Sequence, residues 1–249
     1  MRIPLALMVL LVGTVVPAAG ATAAGVNFSW DACASEGGVQ SKTFACNTNA
    51  GSRAAWGSFI VAAAQDSFVG VEIIVAVQAQ SDTLPDWWQF FNSGACRQTA
   101  LSTSFDFTSA PGASCTDPWF GQAAGGLAAY HTINTVPPVP SGLPNAARIK
   151  IGAAVPSTSP LTLAAGTEYY CFRLILTNAK TAGSGACSGC DIPVCLTLSE
   201  IKVAQLNGAV EDLTQPISQN VVYWQSSGGS CGATAPQNVI WGQIRSILR

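Results

Sequence analysis

The stretch Val71–Gln80, with the sequence VEIIVAVQAQ, has the most regular hydrophobic pattern in the chain and decides the fold class. Aliphatic residues occupy every second position, and the positions between them include polar ones. One face carries Val71, Ile73, Val75 and Val77, and the other includes Glu72, Gln78 and Gln80. A period of two is that of a strand with one buried face. The stretch therefore predicts a half-buried β-strand.

Similar alternation recurs along the chain, in segments separated by clusters of Gly, Pro, Ser, Asn and Asp. The other predicted strands are Val26–Trp30, Gly57–Val61, Ala147–Gly152, Glu168–Thr177, Val194–Ser199 and Asn220–Trp224. Ile201 and Val203 then fall out of phase, which predicts a β-bulge near Glu200. Short strands with turn signals between them are typical of antiparallel sandwiches and barrels. We predict an all-β fold, a disulfide-stapled antiparallel β-sandwich that is Ig-like or jelly-roll-like.

The connections between these strands are predicted less directly. We expect residues 167–178 and 193–206 to form a hairpin whose tip is pinned by disulfides. The Gly-rich segment Gly121–Gly126 indicates a turn-rich loop, and the Pro-rich segment Val136–Pro144 a long crossing loop. At the C-terminus, apolar residues recur at helical spacing after a possible N-cap at Asn238. They are Trp241, Ile244, Ile247 and Leu248, and they predict a short amphipathic C-terminal helix.

The N-terminal residues have the pattern of an export signal. Arg2 precedes a nearly apolar run, Ile3–Val16, and small residues follow it. This order is typical of a secretory signal peptide. We expect residues 1–23 to be removed, with a cut after Ala19 or Gly20 as the alternative. Residues 24–249 are then expected to form one β-sandwich domain that is secreted, either extracellular or periplasmic, with no membrane span after cleavage.

Charge and composition narrow the classes of partner. The chain has 249 residues, of which 49% are hydrophobic and 10% charged, with 11 basic and 13 acidic side chains and one histidine. With no basic surplus, binding to a nucleic-acid backbone is not expected. One histidine makes histidine-based metal and acid–base sites improbable. The expected partners are a glycan, another surface protein or a second copy of the chain.

All nine cysteines follow the predicted signal peptide, and in an exported chain disulfides are the expected state. The eight disulfide candidates are Cys33, Cys46, Cys96, Cys115, Cys187, Cys190, Cys195 and Cys231. Spacing favours one short loop closed by Cys33 and Cys46. A second would be closed by Cys96 and Cys115. We expect one bond within residues 187–195, whose remaining cysteine would pair with Cys231, although the many possible schemes leave the connectivity open.

Cys171 is the candidate free thiol, because it lies inside the apolar run Glu168–Leu176 that predicts a central strand. A buried free cysteine behaves as a small hydrophobic residue. The functional alternative is a nucleophile–base pair of Cys171 with His131, which no spacing supports. A zinc reading of Cys187 and Cys190 is also weaker than a disulfide, since the second half of a zinc site is absent from the sequence.

No catalytic, metal or cofactor motif is recognisable. The sequence contains no G-x-S-x-G, H-E-x-x-H or phosphate-binding loop. The oxygen-rich loops Asn47–Ser52 and Asp82–Asp86 match no calcium-loop spacing and are explained by turn chemistry. We therefore predict no catalytic residues, no metal and no cofactor. A hydrolase with a carboxylate pair that the sequence does not reveal stays as an alternative.

The tryptophans are the candidate ligand-binding residues. Trp87 and Trp88 are adjacent, so in a strand they would point to opposite faces, one of them into the core. The other, together with Trp119, could be exposed and stack on a sugar ring. The alternative is that all three close the end of the core. On the first interpretation the protein would be a carbohydrate-binding module.

Three motifs resemble those of a group of secreted hypothetical proteins from bacteria. They are Cys187-x-x-Cys190-x-Ile192-Pro193-Val194-Cys195, Leu84-Pro85-x-Trp87-Trp88-Gln89-Phe90 and Trp241-Gly242-x-x-x-Ser246-x-Leu248. The resemblance covers most of the expected mature chain. It implies export and a single domain, and it brings no activity and no site residues. The sequence as a whole favours an exported, non-catalytic structural or interaction module.

Overall fold

Twelve β-strands and two short 3-10 helical turns make up the regular structure of the described residues. The structure is a computed structural model that describes residues 23–90, 94–107, 116–131 and 143–225. The strands are β1 (Gly25–Trp30), β2 (Ser41–Lys42), β3 (Ser52–Ile60), β4 (Gln65–Ala79), β5 (Leu101–Ser104), β6 (Ala124–His131), β7 (Ala146–Ala154), β8 (Leu161–Leu163), β9 (Glu168–Thr177), β10 (Val194–Gln205), β11 (Val210–Leu213) and β12 (Val221–Trp224). The 3-10 turns span Ala34–Glu36 and Asp86–Trp88. The all-β prediction is confirmed.

The strands form two sheets. The smaller sheet has the order β1-β3-β9-β5, and the larger has β2-β12-β10-β4-β7-β6, with β11 added to β10 and β8 to β4. Every pairing between named strands is antiparallel except that of β12 with β2. The central strand of the larger sheet is β4, which contains the stretch Val71–Gln78 between β10 and β7.

The two sheets bury their facing sides against each other, which makes the fold a β-sandwich. On β4 the alternating residues Val71, Ile73, Val75 and Val77 are buried, as their period predicts. Rings from the two sheets meet in the core: Phe59 of β3 lies 6.4 Å from Phe68 of β4, and Trp30 of β1 lies 6.1 Å from Trp224 of β12. Nearly all of the buried hydrophobic residues form one cluster.

Several local predictions are confirmed. The predicted strand Glu168–Thr177 is β9 with the same bounds. The register of β10 against β4 shifts between Leu198 and Glu200, at the position where the change of phase predicts a bulge. The extra residue lets the apolar residues on both sides of the bulge, Leu198 and Ile201, face the core.

The predicted hairpin of residues 167–178 and 193–206 is wrong. β9 pairs with β3 and β5 in the smaller sheet, whereas β10 pairs with β4, β11 and β12 in the larger one. The connection between β9 and β10 therefore crosses from one sheet to the other. Hydrophobic alternation fixes which face of a strand is buried and leaves open which strand lies beside it.

The turn-rich loop predicted for Gly121–Gly126 is also partly wrong, because β6 begins at Ala124 and includes both Gly125 and Gly126. Gly125 lies where a side chain does not fit, since a Cβ there would overlap the carbonyl oxygen of Gly152. Glycine here permits close approach of two strands. The predicted signal peptide, except for Ala23, and the predicted C-terminal helix lie outside the described residues.

Candidate interaction surface

The three tryptophans proposed as ligand-binding residues provide no stacking surface, because Trp87, Trp88 and Trp119 are each 0% exposed. The expectation that one of the first two is exposed assumed a strand, but both lie in the 3-10 turn Asp86–Trp88 and both point into the core. The indole N–H groups of Trp87 and Trp119 donate hydrogen bonds inside the protein. Trp87 Nε1 donates to Thr181 Oγ1 at 2.9 Å, and Trp119 Nε1 donates to the Cys171 carbonyl at 3.0 Å.

Arg97 places a positive charge among the aromatic rings at this end of the sandwich. Its guanidinium carbon lies 3.5 Å from the ring centroid of Trp87 and 5.2 Å from that of Phe90. Its nitrogens donate to the carbonyl oxygens of Trp87, Thr177 and Ala179. Burial lowers the pKa of Arg97 to about 9, so the guanidinium is charged at neutral pH. The contacts are all internal, which makes Arg97 a structural residue.

The disulfides join distant segments and correct the predicted pairing. Cys46 is bonded to Cys190 and Cys96 to Cys187, with sequence separations of 144 and 91. The predicted short loops Cys33–Cys46 and Cys96–Cys115 are therefore wrong. No bond forms between Cys187 and Cys190 or from either of them to Cys195, and Cys33 and Cys195 are also disulfide-bonded. Cys115 and Cys231 lie outside the described residues.

The connection between β9 and β10 is held by both of these bonds. Cys187 ties it to the segment after the 3-10 turn, and Cys190 ties it to the segment between β2 and β3. The sequence pattern of closely spaced cysteines suggested local closure, whereas the fold brings three separate segments to one end of the sandwich. Which cysteines pair therefore depends on the tertiary structure and not on their spacing in the sequence.

Cys171 is a buried free cysteine on β9. Its Sγ lies 3.5 Å from the Gly57 carbonyl oxygen, and burial raises the pKa of its thiol well above the ordinary value. His131 belongs to β6 in the other sheet. The buried thiol lacks the lowered pKa and the access that a nucleophilic cysteine needs.

Neither a metal-binding group of side chains nor a helix suited to crossing a membrane occurs in the described ranges. No three His, Cys, Asp or Glu residues there come together in a way that could hold a metal ion. No helix there combines the necessary length with an apolar sequence.

On one side of the sandwich, which we call the closed side, the edge strand of each sheet is either covered or short. The outer edge of β1 is covered by residues 215–219. Val26 N donates to the Gln215 carbonyl at 2.9 Å, and Ile217 N donates back to the Val26 carbonyl at 3.0 Å. The neighbouring edge of the larger sheet is β2, which has two residues and an ion pair between Lys42 and Asp31. Short, charged or covered edges resist pairing with a foreign strand.

The opposite side of the sandwich ends in β6, an eight-residue edge strand of sequence AGGLAAYH. Among the described strands, β7 alone pairs with it. Alternate residues of an antiparallel edge strand turn both backbone N–H and C=O away from the neighbouring strand. About four residues of β6 therefore present these groups on the outer side. The strand carries no Lys, Arg, Asp or Glu.

The outer sheet surface beside the first part of β6 carries small residues on both β6 and the adjoining end of β7. The exposed small residues are Ala124, Gly126, Ala128, Gly152 and Ala154. Gly126 and Gly152 lie opposite each other in register, and a Cβ at either position would meet open space. On the same outer face of β7, Lys150 pairs with Glu72 at 2.6 Å, and Arg148 lies opposite Tyr130 of β6 in register.

Phe120 projects from the loop that leads into β6. It is 67% exposed, the most exposed of the large hydrophobic side chains in the described residues. Its backbone has a φ of 50°, in the left-handed region that bulky residues rarely adopt. We call Phe120 together with the edge and outer face of β6 the open-side surface.

The loop that carries Phe120 is held in place by contacts of the residues just before it. The preceding ring, Trp119, lies 5.2 Å from Phe68 and is fully buried. Asp117 Oδ1 accepts the backbone N–H of Trp119 at 2.8 Å. Partial burial raises the pKa of the Asp117 carboxyl, although hydrogen bonds from the backbone of Trp119 and Gly121 oppose the shift. The aromatic pair therefore splits, with Trp119 anchored in the core and Phe120 directed to solvent.

Comparison with known proteins gives two distant structural likenesses. No protein-family model and no curated protein matches the chain. One similar structure is a cohesin module from a Clostridium perfringens family 33 glycoside hydrolase, with 9% identity over 81% of this chain and 94% of that one and a TM-score of 0.36. Another is a type II cohesin module from a cellulosomal adaptor scaffoldin of Acetivibrio cellulolyticus, with 8% identity, 83% and 98% coverage and a TM-score of 0.38. A likeness of this degree assigns neither family nor function.

The sequence interpretation did not identify the open-side surface. It considered Trp119, with either Trp87 or Trp88, as exposed aromatic residues, whereas the exposed ring is that of Phe120, next to Trp119. The signal in the sequence is Gly121, since glycine adopts positive φ more readily than any other residue and therefore marks a turn of the backbone next to Phe120. Gly121 does have a φ of 72°.

Proposed function

We propose that residues 24–249 are a single exported, non-catalytic module that makes a structural or adhesive contact with another protein through the open-side surface. The observation that carries this proposal is the display of Phe120, a large apolar side chain held in solvent on a fixed loop. The proposal names a protein as the partner, since the tryptophans that would favour a glycan are buried.

The energetic argument starts from the backbone. A bulky residue in the left-handed region costs about 1–3 kcal/mol and persists only where its surroundings determine it. Burying Phe120 against the core would recover hydrophobic free energy, yet the chain buries Trp119 and exposes Phe120 instead. Strained backbone conformations are concentrated at functional sites, which supports a binding role for Phe120.

The disulfides support export. Six of the seven cysteines in the described residues are disulfide-bonded, and the remaining one is buried. Structural disulfides of this number persist in oxidising compartments and are rare in the cytosol. A sandwich stapled in this way is a rigid support for a surface loop, because little conformational freedom is lost when a partner binds to it.

The test is site-specific photo-crosslinking in the organism that produces the protein. The photoreactive amino acid p-benzoylphenylalanine replaces Phe120 in one variant and Val210 in the control. Val210 is also an exposed apolar residue, 55% exposed, but lies in β11 away from the open-side surface. We expect a covalent protein adduct at position 120 and none at position 210. Equal adduct yields at the two positions, or none at either, would overturn the proposal.

A further inference from the structure

We propose that the partner at the open-side surface is a second copy of this chain, whose β6 pairs antiparallel with β6 about a two-fold axis through Leu127. This inference rests on the proposed function, because it names the partner of the same surface. The two larger sheets would join edge to edge into one continuous sheet. The argument comes from the state of the sheet edges, the register of β6 and the distribution of charge.

The edges of the two sheets differ in what they offer a foreign strand. On the closed side, β1 is covered by residues 215–219 and β2 has two residues. On the open side, β5 has four residues and β6 has eight. The eight residues of β6 correspond to about 27 Å of strand at the usual rise. Among the described edges, β6 is therefore the one with a long row of outward backbone groups and no covering segment within the described residues.

A two-fold axis at Leu127 gives a self-complementary register. Leu127 lies opposite its own copy, and Gly126 opposite Ala128 of the second copy. Leu127 is only partly buried and packs at the rim of the core. Its counterpart would cover the exposed part of its side chain, and cross-strand contacts of this kind stabilise sheets. Every other directly opposed pair within β6 is also composed of uncharged residues.

Charge favours pairing with the same surface over pairing with a charged partner. β6 has no Lys, Arg, Asp or Glu, and on the adjoining outer face Lys150 and Glu72 neutralise each other. Two copies brought together along β6 therefore oppose no like charges. A charged partner strand would find no counter-charge on β6 itself.

The small residues on the outer face leave room for the side chains of a second β6 strand. Gly126 and Ala128 stand on the outer face, so side chains of the second strand meet no bulky obstruction there. Phe120 lies four residues before the first residue of β6, so each copy presents this ring near one end of the paired strands.

The experiment measures the mass of the naturally processed, purified protein by sedimentation equilibrium. We expect a monomer–dimer equilibrium for the wild type. The variant Gly126→Lys with Ala128→Lys places lysines opposite lysines across the axis and should raise the dissociation constant about tenfold or more. The variant Gly126→Glu with Ala128→Glu should do the same. An equimolar mixture of the two variants should restore a dimer that contains one copy of each.

A matched control separates the edge from the rest of the face. Thr197→Lys adds a charge on β10, on the same face but far from the edge, and should leave the dissociation constant unchanged. Gly126 tolerates a side chain because a Cβ there meets open space, and circular dichroism checks that each variant folds. If a variant does not fold, amide hydrogen exchange of the wild-type protein is measured instead. Protection of β6 amides should then rise with protein concentration.

Three outcomes would overturn the inference: a wild type that is monomeric at every concentration, charge variants that remain dimeric, or a mixture that fails to form the mixed dimer although both variants fold. These outcomes differ from failure of the proposed function. A monomeric protein that still forms adducts at position 120 with a different protein removes self-pairing and leaves the interaction module. A monomeric protein without adducts removes both.

Discussion

The guanidinium of Arg97 lies over the ring of Trp87, 3.5 Å from its centroid, and the two residues are 1% and 0% exposed. The guanidinium of Arg97 donates hydrogen bonds to three backbone carbonyl oxygens, and it also lies against the ring of Phe90. This arrangement ties the 3-10 turn Asp86–Trp88 to the end of β9. It stabilises the end of the sandwich where the two long-range disulfides also lie.

Replacing Arg97 should destabilise the fold strongly. Arg97→Ala leaves buried carbonyl oxygens without donors and opens a void beside Trp87, and we expect a loss of about 3 kcal/mol or more in the free energy of unfolding. Urea-induced unfolding measures it. Arg148→Ala, on the outer face of β7, is the control and should change stability by about 0.5 kcal/mol or less. Equal effects of the two substitutions would contradict the structural role of Arg97.

Tyr170 should make stability depend on alkaline pH. Burial raises the pKa of Tyr170 to about 12 from its ordinary value of 10.0, although the hydrogen bond from Cys33 N at 2.9 Å opposes the shift. The phenol ionises first in the unfolded chain, so its contribution is complete below pH 10 and is lost as the pH rises towards about 12. The deficit of Tyr170→Phe relative to wild type should therefore shrink over this range.

Chemical unfolding at a series of pH values checks the Tyr170 prediction. At neutral pH the phenylalanine variant should be less stable by about 1–3 kcal/mol, because the buried N–H of Cys33 loses its acceptor. A deficit that stays constant from pH 9 to about 12 would show that Tyr170 ionises equally in the folded and unfolded chains.

Cys171 should resist thiol reagents in the folded protein. Its burial raises the pKa of the thiol and excludes the reagent, so iodoacetamide should leave it unmodified even at pH 9, where ordinary thiols react. Mass spectrometry of the peptide that contains Cys171 measures the modification. The same reagent in denaturant is the positive control, and rapid labelling of the native protein would contradict the burial of this side chain.

The bond between Cys96 and Cys187 should contribute substantially to stability. Its loop lies within the larger one closed by Cys46 and Cys190, so it constrains an unfolded chain that is already cross-linked. We expect Cys96→Ser with Cys187→Ser to lower the free energy of unfolding by about 2–4 kcal/mol. Measurement under reducing conditions is the control, since wild type then lacks the bond as well. A difference that persists after reduction would contradict the disulfide as its source.

The sequence predicts those parts of the fold that depend on local pattern. The alternation in Val71–Gln80 identifies the face of β4 that is buried, and the change of phase near Glu200 locates the bulge in β10. Both follow because the side-chain period of a strand is two and a bulge shifts it by one. The bounds of β9 are predicted for the same reason.

Features that depend on distant partners could not be predicted. The pairing of Cys46 with Cys190 joins segments 144 residues apart, and nothing in local spacing favours it over a shorter loop. The neighbours of β9 likewise follow from topology and not from its own sequence. The edge strand β6 consists mainly of Ala and Gly, which have low strand propensity, so packing against β7 decides its conformation.

The open-side surface could not be predicted from the sequence for a related reason. Hydrophobicity ranks Trp119 and Phe120 alike, and only the fold decides which of two adjacent rings enters the core. Trp87 and Trp119 donate their indole N–H groups to residues remote in sequence, and Trp88 packs against the ring of Trp224, which is also remote. A count of aromatic residues therefore could not distinguish a binding surface from a core.

The Cys46–Cys190 bond also determines how the protein would carry mechanical tension. A pull on the two ends of the chain passes from Cys46 to Cys190 across the sulfur–sulfur bond and bypasses the residues between them. The bypassed part contains β3 to β9, including β6 and Phe120. Under load, this bond keeps the residues between Cys46 and Cys190 from lengthening. A contact made through β6 would keep its shape while the rest of the chain is stretched.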